Sequence, residues 1–144
     1  MIAIDTNVLL RYLLDDDKAQ ARKASALINS GDKVLITDVV LAETIWTLKG
    51  KRYNLDKEAI ITVVHSLFEE PSIVFENGQT VWRAVNDFKN TKAIKSGGKK
   101  KEADFPGALV VNKAKHIASV LNVEFDGAYT FDVAAQQIPG TKKP

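Results

Sequence analysis

The sequence contains no cysteine, which excludes disulfide bonds and thiolate metal sites and makes a cytoplasmic setting the default expectation. Histidine is also scarce. His65 and His116 fall in the middle of predicted helices, so neither is a good candidate for a general base. No apolar run approaches the roughly 18 residues that a membrane helix needs. Asp5 interrupts the apolar N-terminus and no basic segment precedes it, so we expect neither a membrane span nor a signal peptide.

Positive charge is concentrated in one segment. The 20 basic and 18 acidic residues give a net charge of +2, but residues 89–101 contain six lysines and no acid. The rest of the chain therefore has 14 basic and 18 acidic residues, a net charge of −4. We predict a basic loop at about residues 90–102, because this segment lacks an apolar period and contains Gly97-Gly98. Such a loop suits a polyanionic partner, although a merely solvated loop would have the same composition.

Strand and helix patterns alternate along the chain. Four short apolar runs are predicted strands: residues 2–4, 34–37, 73–76 and 128–131. Segments with helical spacing separate them, and Thr6 or Asn7 is the expected cap of the first helix. Trp46 and Trp82 are most simply core residues. This alternation predicts the α/β class, a three-layer α/β/α arrangement with a mostly parallel central sheet, as a single domain over residues 1–144.

Four acidic residues follow predicted strands or lie in the first turns of predicted helices. They are Asp5, Glu43, Asp104 and Asp132. Ligands of parallel sheets bind outside the carboxyl ends of the strands, so these carboxylates can converge there. A carboxylate cluster needs cations or protons to be stable, and Mg²⁺ or Mn²⁺ prefers oxygen ligands. Such ions activate water and clamp a phosphodiester during in-line attack.

Each acid also has a simpler structural explanation. Glu43 could be a solvated helix residue, Asp104 could only cap the helix that begins at Phe105, and Asp132 could be a loop residue. Asp5 is the hardest to explain in this way, because it directly follows a buried apolar strand. Two phosphoryl-transfer folds fit poorly. A haloacid-dehalogenase phosphatase would have an acid where Asn7 stands, and a receiver domain would have paired acids after the first strand.

Taken together, these residues resemble a PIN domain, and in particular a VapC-type toxin ribonuclease. The resemblance extends over nearly the whole chain. The matching segments are Ile4-Asp5-Thr6-Asn7, Ala42-Glu43, Ala103-Asp104-Phe105-Pro106-Gly107-Ala108-Leu109 and Thr130-Phe131-Asp132.

The resemblance implies a Mg²⁺- or Mn²⁺-dependent endoribonuclease that acts on structured RNA. It also implies a cognate VapB-type antitoxin and a homodimer. Asp5, Glu43 and Asp132 match the family's metal ligands, and the polar residues that match those supporting the acids are Thr6, Asn7 and Thr130. Lys95, Lys99, Lys100 and Lys101 are candidates for weak RNA contacts.

The chain departs from the family pattern at Gly107. An Asp commonly stands immediately before Ala-Leu in this helix, with another three residues earlier; here Asp104 keeps the earlier acid and glycine replaces the later one. Glycine supplies no ligand and is less favourable in a helix than alanine by about 1 kcal/mol. Three explanations stay open. Asp104 serves as the ligand, the protein is a catalytically impaired module that binds RNA or antitoxin, or Gly107 is a substitution that detoxifies the ribonuclease.

Overall fold

The computed structural model describes all 144 residues, which divide into two compact units, Met1–Gly78 and Gln79–Pro144. In the first unit the elements are β1 (Ile2–Ala3), α1 (Thr6–Leu14), α2 (Lys18–Ile28), β2 (Val34–Ile36), α3 (Asp38–Lys49), α4 (Lys57–Glu69) and β3 (Ile73–Phe75). The elements that complete the chain are α5 (Gly78–Asn90), β4 (Ile94–Ser96), β5 (Lys99–Lys101), α6 (Phe105–Val120), β6 (Ala128–Tyr129), a short 3-10 helix (Ala135–Gln137) and β7 (Thr141–Lys142). None of the helices is long and apolar enough to cross a membrane.

The first unit is built on a parallel sheet with the strand order β1-β2-β3. Val34 in β2 pairs with Ile2 on one side and with Ile73 on the other. Val34 and Ile36 are fully buried, as expected for a strand covered on both faces. Helices connect the parallel strands, because a parallel pair needs a crossover. The predicted α/β class with a mostly parallel sheet flanked by helices is therefore confirmed.

Aspartate side chains begin four of the six helices. Asp5, Asp17, Asp56 and Asp104 each accept a hydrogen bond from a backbone N–H in the first turn of the helix that follows. Such caps satisfy N–H groups that have no partner within the helix. The prediction that Thr6 or Asn7 caps α1 is wrong. Asp5 takes that position, because its carboxylate reaches the N–H of Val8 at 2.9 Å.

The lysine-rich segment is a β-hairpin rather than the predicted loop. β4 and β5 pair antiparallel through Gly97-Gly98, and α5 extends to Asn90. Both glycines have positive φ angles, 60° and 77°, which is the backbone conformation of a tight two-residue hairpin turn. The strands lack apolar alternation because β5 consists of three exposed lysines. Only the Gly-Gly pair signalled the hairpin.

The C-terminal segment forms a second small parallel pair. β6 pairs with β7, and the run predicted as a strand over residues 128–131 is shorter, ending at Tyr129. Lys142 donates a hydrogen bond to Asp126 at 2.8 Å, and Tyr129 donates a second. These two bonds, with that from Lys142 the stronger influence, hold the pKa of Asp126 below its ordinary value.

Two aromatic residues that were expected in the core lie at the surface. Trp46 in α3 is 56% exposed and Trp82 in α5 is 45% exposed. Leucine, isoleucine and valine fill most of the interior instead, and the most completely buried aromatic side chain is Phe105 at the start of α6. Phe105 meets Phe88 edge-on, with ring centroids 6.3 Å apart. Each unit therefore has one tryptophan, and both are substantially exposed.

Candidate metal centre

Asp5 lies just beyond β1, at the start of α1. Its Oδ1 accepts the N–H of Val8 at 2.9 Å, which fixes the carboxylate at the positive end of the helix. The side chain is exposed and forms no ion pair, so Oδ2 remains available to a ligand. The strand end and the helix cap thus hold one carboxylate oxygen in place and leave the other without a hydrogen-bond partner.

Glu43 is joined directly to the residue after Asp5. The Thr6 hydroxyl donates to Glu43 Oε2 at 2.6 Å and connects α1 with α3 across 37 residues of sequence. Glu43 is exposed and pairs with no lysine or arginine, which leaves Oε1 without a protein partner. The first unit therefore brings together Asp5, Thr6 and Glu43, as two carboxylates and the hydroxyl that orients one of them.

Asn7, the third predicted residue of this segment, has a different environment. It lines a shallow groove between α1 and α2, beside Arg11, Gln20 and Lys23. Arg11 donates to Gln20 at 2.7 Å within that groove. The structure therefore associates Asn7 with the α1–α2 groove rather than with the Thr6–Glu43 hydrogen bond.

Asp104 caps α6 in the second unit. Its Oδ1 accepts the N–H of Gly107 at 2.7 Å, and Pro106 occupies the first turn, where the missing proline N–H costs nothing. Gly107 has ordinary helical backbone angles, so its conformation does not require glycine. A Cβ at this position would lie 3.0 Å from Asp104 Oδ1 and 3.8 Å from Ile138 Cδ1. A side chain therefore fits at position 107 if the Asp104 carboxylate shifts by a few tenths of an ångström.

Asp132 organises the turn after β6. Its Oδ1 accepts the N–H groups of Ala134 and Ala135 at 2.9 and 3.2 Å, which starts the 3-10 helix. The Thr130 hydroxyl accepts the backbone N–H of Asp132 at 3.0 Å, so it supports the turn rather than the carboxylate itself. Asp132 is exposed and forms no ion pair, and its Oδ2 has no hydrogen-bond partner in the protein.

Within neither unit do three histidine or acidic side chains form a group that could hold a metal ion. The individual donors nevertheless fit a hard divalent cation. Asp5, Glu43 and Asp132 are exposed carboxylates, each with one oxygen fixed by hydrogen bonds and one open. Oxygen donors of this kind suit Mg²⁺ and Mn²⁺. The chain has no thiolate that would favour a softer metal.

A model of the PIN domain family matches residues 2–126. The chain belongs to the PIN domain family. PIN domains are generally nucleases that use a divalent metal, which agrees with the oxygen-only donors described above. The matched range includes Asp5, Glu43 and Asp104 but ends before Asp132. A comparison with curated proteins finds no significant match.

The exposure of Phe131 was not predicted from the sequence. Phe131 stands between Thr130 and Asp132 and is 83% exposed, although a phenylalanine after a strand signals a core residue. The alternation of side chains along and just beyond β6 could have revealed it, because Tyr129, two residues earlier, is exposed as well.

Proposed function

We propose that this PIN domain is a metal-dependent endoribonuclease and the toxin component of a toxin–antitoxin pair in the cytoplasm. The proposed metal ligands are Asp5, Glu43, Asp104 and Asp132. The observation that carries the proposal is the position of Asp5 directly before Thr6, whose hydroxyl donates a hydrogen bond to Glu43. Two exposed carboxylates are thereby oriented for a cation. Membership of a family of metal-dependent nucleases supports it.

The chemistry divides between the cation and the protein. Mg²⁺ or Mn²⁺, when bound, would make water more acidic and stabilise negative charge on the scissile phosphate. The α1 cap fixes Asp5 Oδ1 and so orients Oδ2, and the Thr6 hydroxyl fixes Glu43 Oε2 and orients Oε1. Asp104 and Asp132 are fixed in the same way by backbone N–H groups. Pre-oriented ligands spare the site much of the ordering cost on binding.

The direct test is digestion of a structured RNA with and without divalent metal. We expect cleavage with Mg²⁺ or Mn²⁺ and none in excess chelator, because the chain offers no well-placed histidine to replace the cation. Activity should return when Mg²⁺ is restored. A thermal melt run with and without chelator serves as the control, because it separates an effect of the chelator on cleavage from an effect on folding. Cleavage that persists in chelator would contradict the proposal.

The Thr6 hydroxyl offers a test that does not remove a proposed ligand. Thr6→Val preserves shape but removes the donor to Glu43 Oε2, so Glu43 loses its fixed orientation. Groups that orient metal ligands typically contribute 10–100-fold to metal affinity, and we expect a weakening of about that size. Calorimetric titration with Mn²⁺ measures it without reference to activity. Thr6→Ser keeps a hydroxyl and should bind Mn²⁺ as tightly as the unchanged chain does. If Thr6→Val also binds Mn²⁺ that tightly, the Thr6 hydroxyl does not orient a metal ligand.

A second candidate function rests on Gly107. The usual carboxylate is missing in the first turn of α6, while the exposed lysine hairpin is intact. These two observations favour a catalytically impaired PIN module that binds RNA or antitoxin with little turnover. Binding without cleavage in the RNA assay, at saturating metal, would select this function over the first.

The proposal also includes protein partners, namely a VapB-type antitoxin and a second copy of the chain. Large apolar side chains lie exposed on both units; they include Val39, Trp46, Val110, Val120 and Leu121. Exposed apolar patches often mark contacts with other proteins. Light scattering on the purified chain tests the dimer, and a monomeric mass at high concentration would remove it from the proposal.

A further inference from the structure

The hairpin formed by β4 and β5 displays lysine on both faces. The register places Lys95 directly opposite Lys100, so these two side chains share one face. Lys99 and Lys101 lie opposite Ser96 and Ile94 and share the other face with them. Side chains alternate along a strand, so no face of this hairpin escapes positive charge.

This charge is not balanced within the protein. Like charges directly opposite each other destabilise a strand pair. Glu102 lies 3.4 Å from Lys100, whereas Lys95, Lys99 and Lys101 have no carboxylate partner. Without an external anion, the arrangement costs the hairpin stability. β5 supplies no apolar compensation either, because every residue of this strand is an exposed lysine.

Despite this repulsion, the base of the hairpin is firmly held. The Gln137 side chain accepts the Lys92 N–H at 3.0 Å and donates to the Lys92 carbonyl at 2.6 Å. Both bonds are to backbone, so they fix the entry to β4 whatever the lysine side chain does. Thr91 adds a bond from its hydroxyl to the Phe88 carbonyl at 2.7 Å, at the end of α5.

The two ends of the hairpin lead to the two proposed ligands of this unit. At the exit, β5 continues through Glu102 and the buried Ala103 to Asp104. At the entry, Gln137 belongs to the 3-10 helix that Asp132 starts by accepting the Ala134 and Ala135 N–H groups. A short series of hydrogen bonds therefore fixes the hairpin relative to Asp132, and only two residues of chain separate it from Asp104.

We propose that the hairpin 94–101 is an arm that binds the sugar–phosphate backbone of structured RNA, and that Gln137 is the positioning residue that aligns it with Asp104 and Asp132. The proposal deepens the proposed function and rests on it. Lysine acts as a point charge toward phosphate and reads no base sequence, so the arm contributes affinity rather than specificity. A membrane surface fits less well, since the hairpin presents no apolar side chain fully to solvent and the chain outside residues 89–101 has a net charge of −4.

The arm is tested by binding, separately from cleavage. Lys95→Gln, Lys99→Gln and Lys101→Gln are combined in an Asp5→Asn background, and fluorescence anisotropy follows a labelled RNA stem-loop between 50 and 200 mM KCl. Each lysine–phosphate contact contributes about 0.7–0.9 to the slope of log affinity against log salt. We therefore expect the slope to fall by about 2 and the affinity at 50 mM KCl to weaken at least tenfold.

A matched variant controls for net charge. Lys23, Lys49 and Lys51 are exposed lysines of the first unit, and changing all three to Gln removes the same charge. Equal losses of RNA affinity in both triple variants would overturn the proposal. An unchanged slope of log affinity against log salt in the hairpin variant would overturn it as well. Binding of the unchanged chain to anionic vesicles but not to RNA would also overturn it. If the hairpin variant loses RNA binding although the unchanged chain does not cleave RNA, the arm stands and the nuclease proposal fails.

The positioning role of Gln137 is tested by comparing a substitution of Gln137 with one of Gln136. Gln137→Leu removes both bonds to Lys92, while Gln136→Leu removes a bond of Gln136 Nε2 to the Thr130 carbonyl at 3.1 Å. Hydrogen exchange should accelerate at the amides of residues 92–101 in Gln137→Leu only, with a smaller salt slope for RNA binding. Unchanged exchange in the hairpin of Gln137→Leu would show that Gln137 does not position the arm.

Discussion

Asp5→Asn is expected to lower metal-dependent RNA cleavage by at least about 100-fold while leaving the fold intact. Removing a group that merely orients a metal ligand already costs 10–100-fold, so loss of a ligand's charge should cost more. Asparagine is as good a helix cap as aspartate, and its side-chain oxygen can still accept the Val8 N–H. Initial rates on a labelled RNA and a thermal melt of the same samples measure the two effects.

Asp56→Asn provides the matched control. Asp56 caps α4 with the same geometry, accepting the Ala59 N–H at 2.9 Å, but it follows no strand of the parallel sheet. We expect it to retain full activity. Asp5→Ala should additionally lower the free energy of unfolding by about 1 kcal/mol, because the cap is lost with the charge. Full, chelator-sensitive cleavage by Asp5→Asn would exclude Asp5 as a ligand.

Gly107→Asp is expected to raise the cleavage rate at saturating Mg²⁺ at least tenfold. The new carboxylate would stand in the first turn of α6, where the helix dipole favours negative charge. It would also lie beside Asp104, and two neighbouring carboxylates attract a cation to relieve their repulsion. The measurement compares initial rates and the Mg²⁺ concentration that gives half-maximal cleavage.

Gly107→Ala separates the effect of the added carboxylate from the effect of adding a side chain to α6. Alanine introduces the same Cβ, 3.0 Å from Asp104 Oδ1, but no carboxylate. It should stabilise α6 by up to about 1 kcal/mol, since alanine is the better helix former, without raising the rate. Equal rates in Gly107→Asp and the unchanged chain would mean that position 107 does not limit activity. If Gly107→Ala raised the cleavage rate as much as Gly107→Asp, the gain would come from a more stable α6 and not from the carboxylate.

The elements of the first unit follow closely from the sequence. Apolar runs of β-branched residues predicted the strands, and the order strand–helix–strand predicted a parallel sheet. Thr37 and Asp56 stand directly before apolar helical periods, and their side chains cap α3 and α4. Local signals sufficed here because pattern, cap and topology point the same way.

The hairpin was missed because strand pairing is not a local property. Lys99 to Lys101 have neither β-branched side chains nor apolar alternation, so their strand conformation depends on partners that lie across a turn. The bonds from Gln137 to Lys92 connect residues 45 positions apart. No spacing rule in the sequence anticipates such a contact.

The ambiguity of the acids has a different origin. Capping and metal binding require the same residue type at the same place, because both use a carboxylate at a helix start. Asp5 and Asp104 do cap helices, so the simpler explanation offered for Asp104 is correct as far as it goes. One carboxylate has two oxygens, however, and a cap at one leaves the other for a ligand. A sequence pattern does not distinguish a carboxylate that only caps a helix from one that also binds a metal ion.

The two exposed tryptophans have a practical consequence. Because the chain has only Trp46 and Trp82, and they belong to different compact units, each unit contains a single tryptophan, whose fluorescence can be excited selectively over that of tyrosine. Replacing one with phenylalanine leaves the emission of the other as a reporter of its own unit alone. Denaturation curves from the two single-tryptophan chains therefore reveal whether residues 1–78 and 79–144 unfold in one cooperative transition or in two.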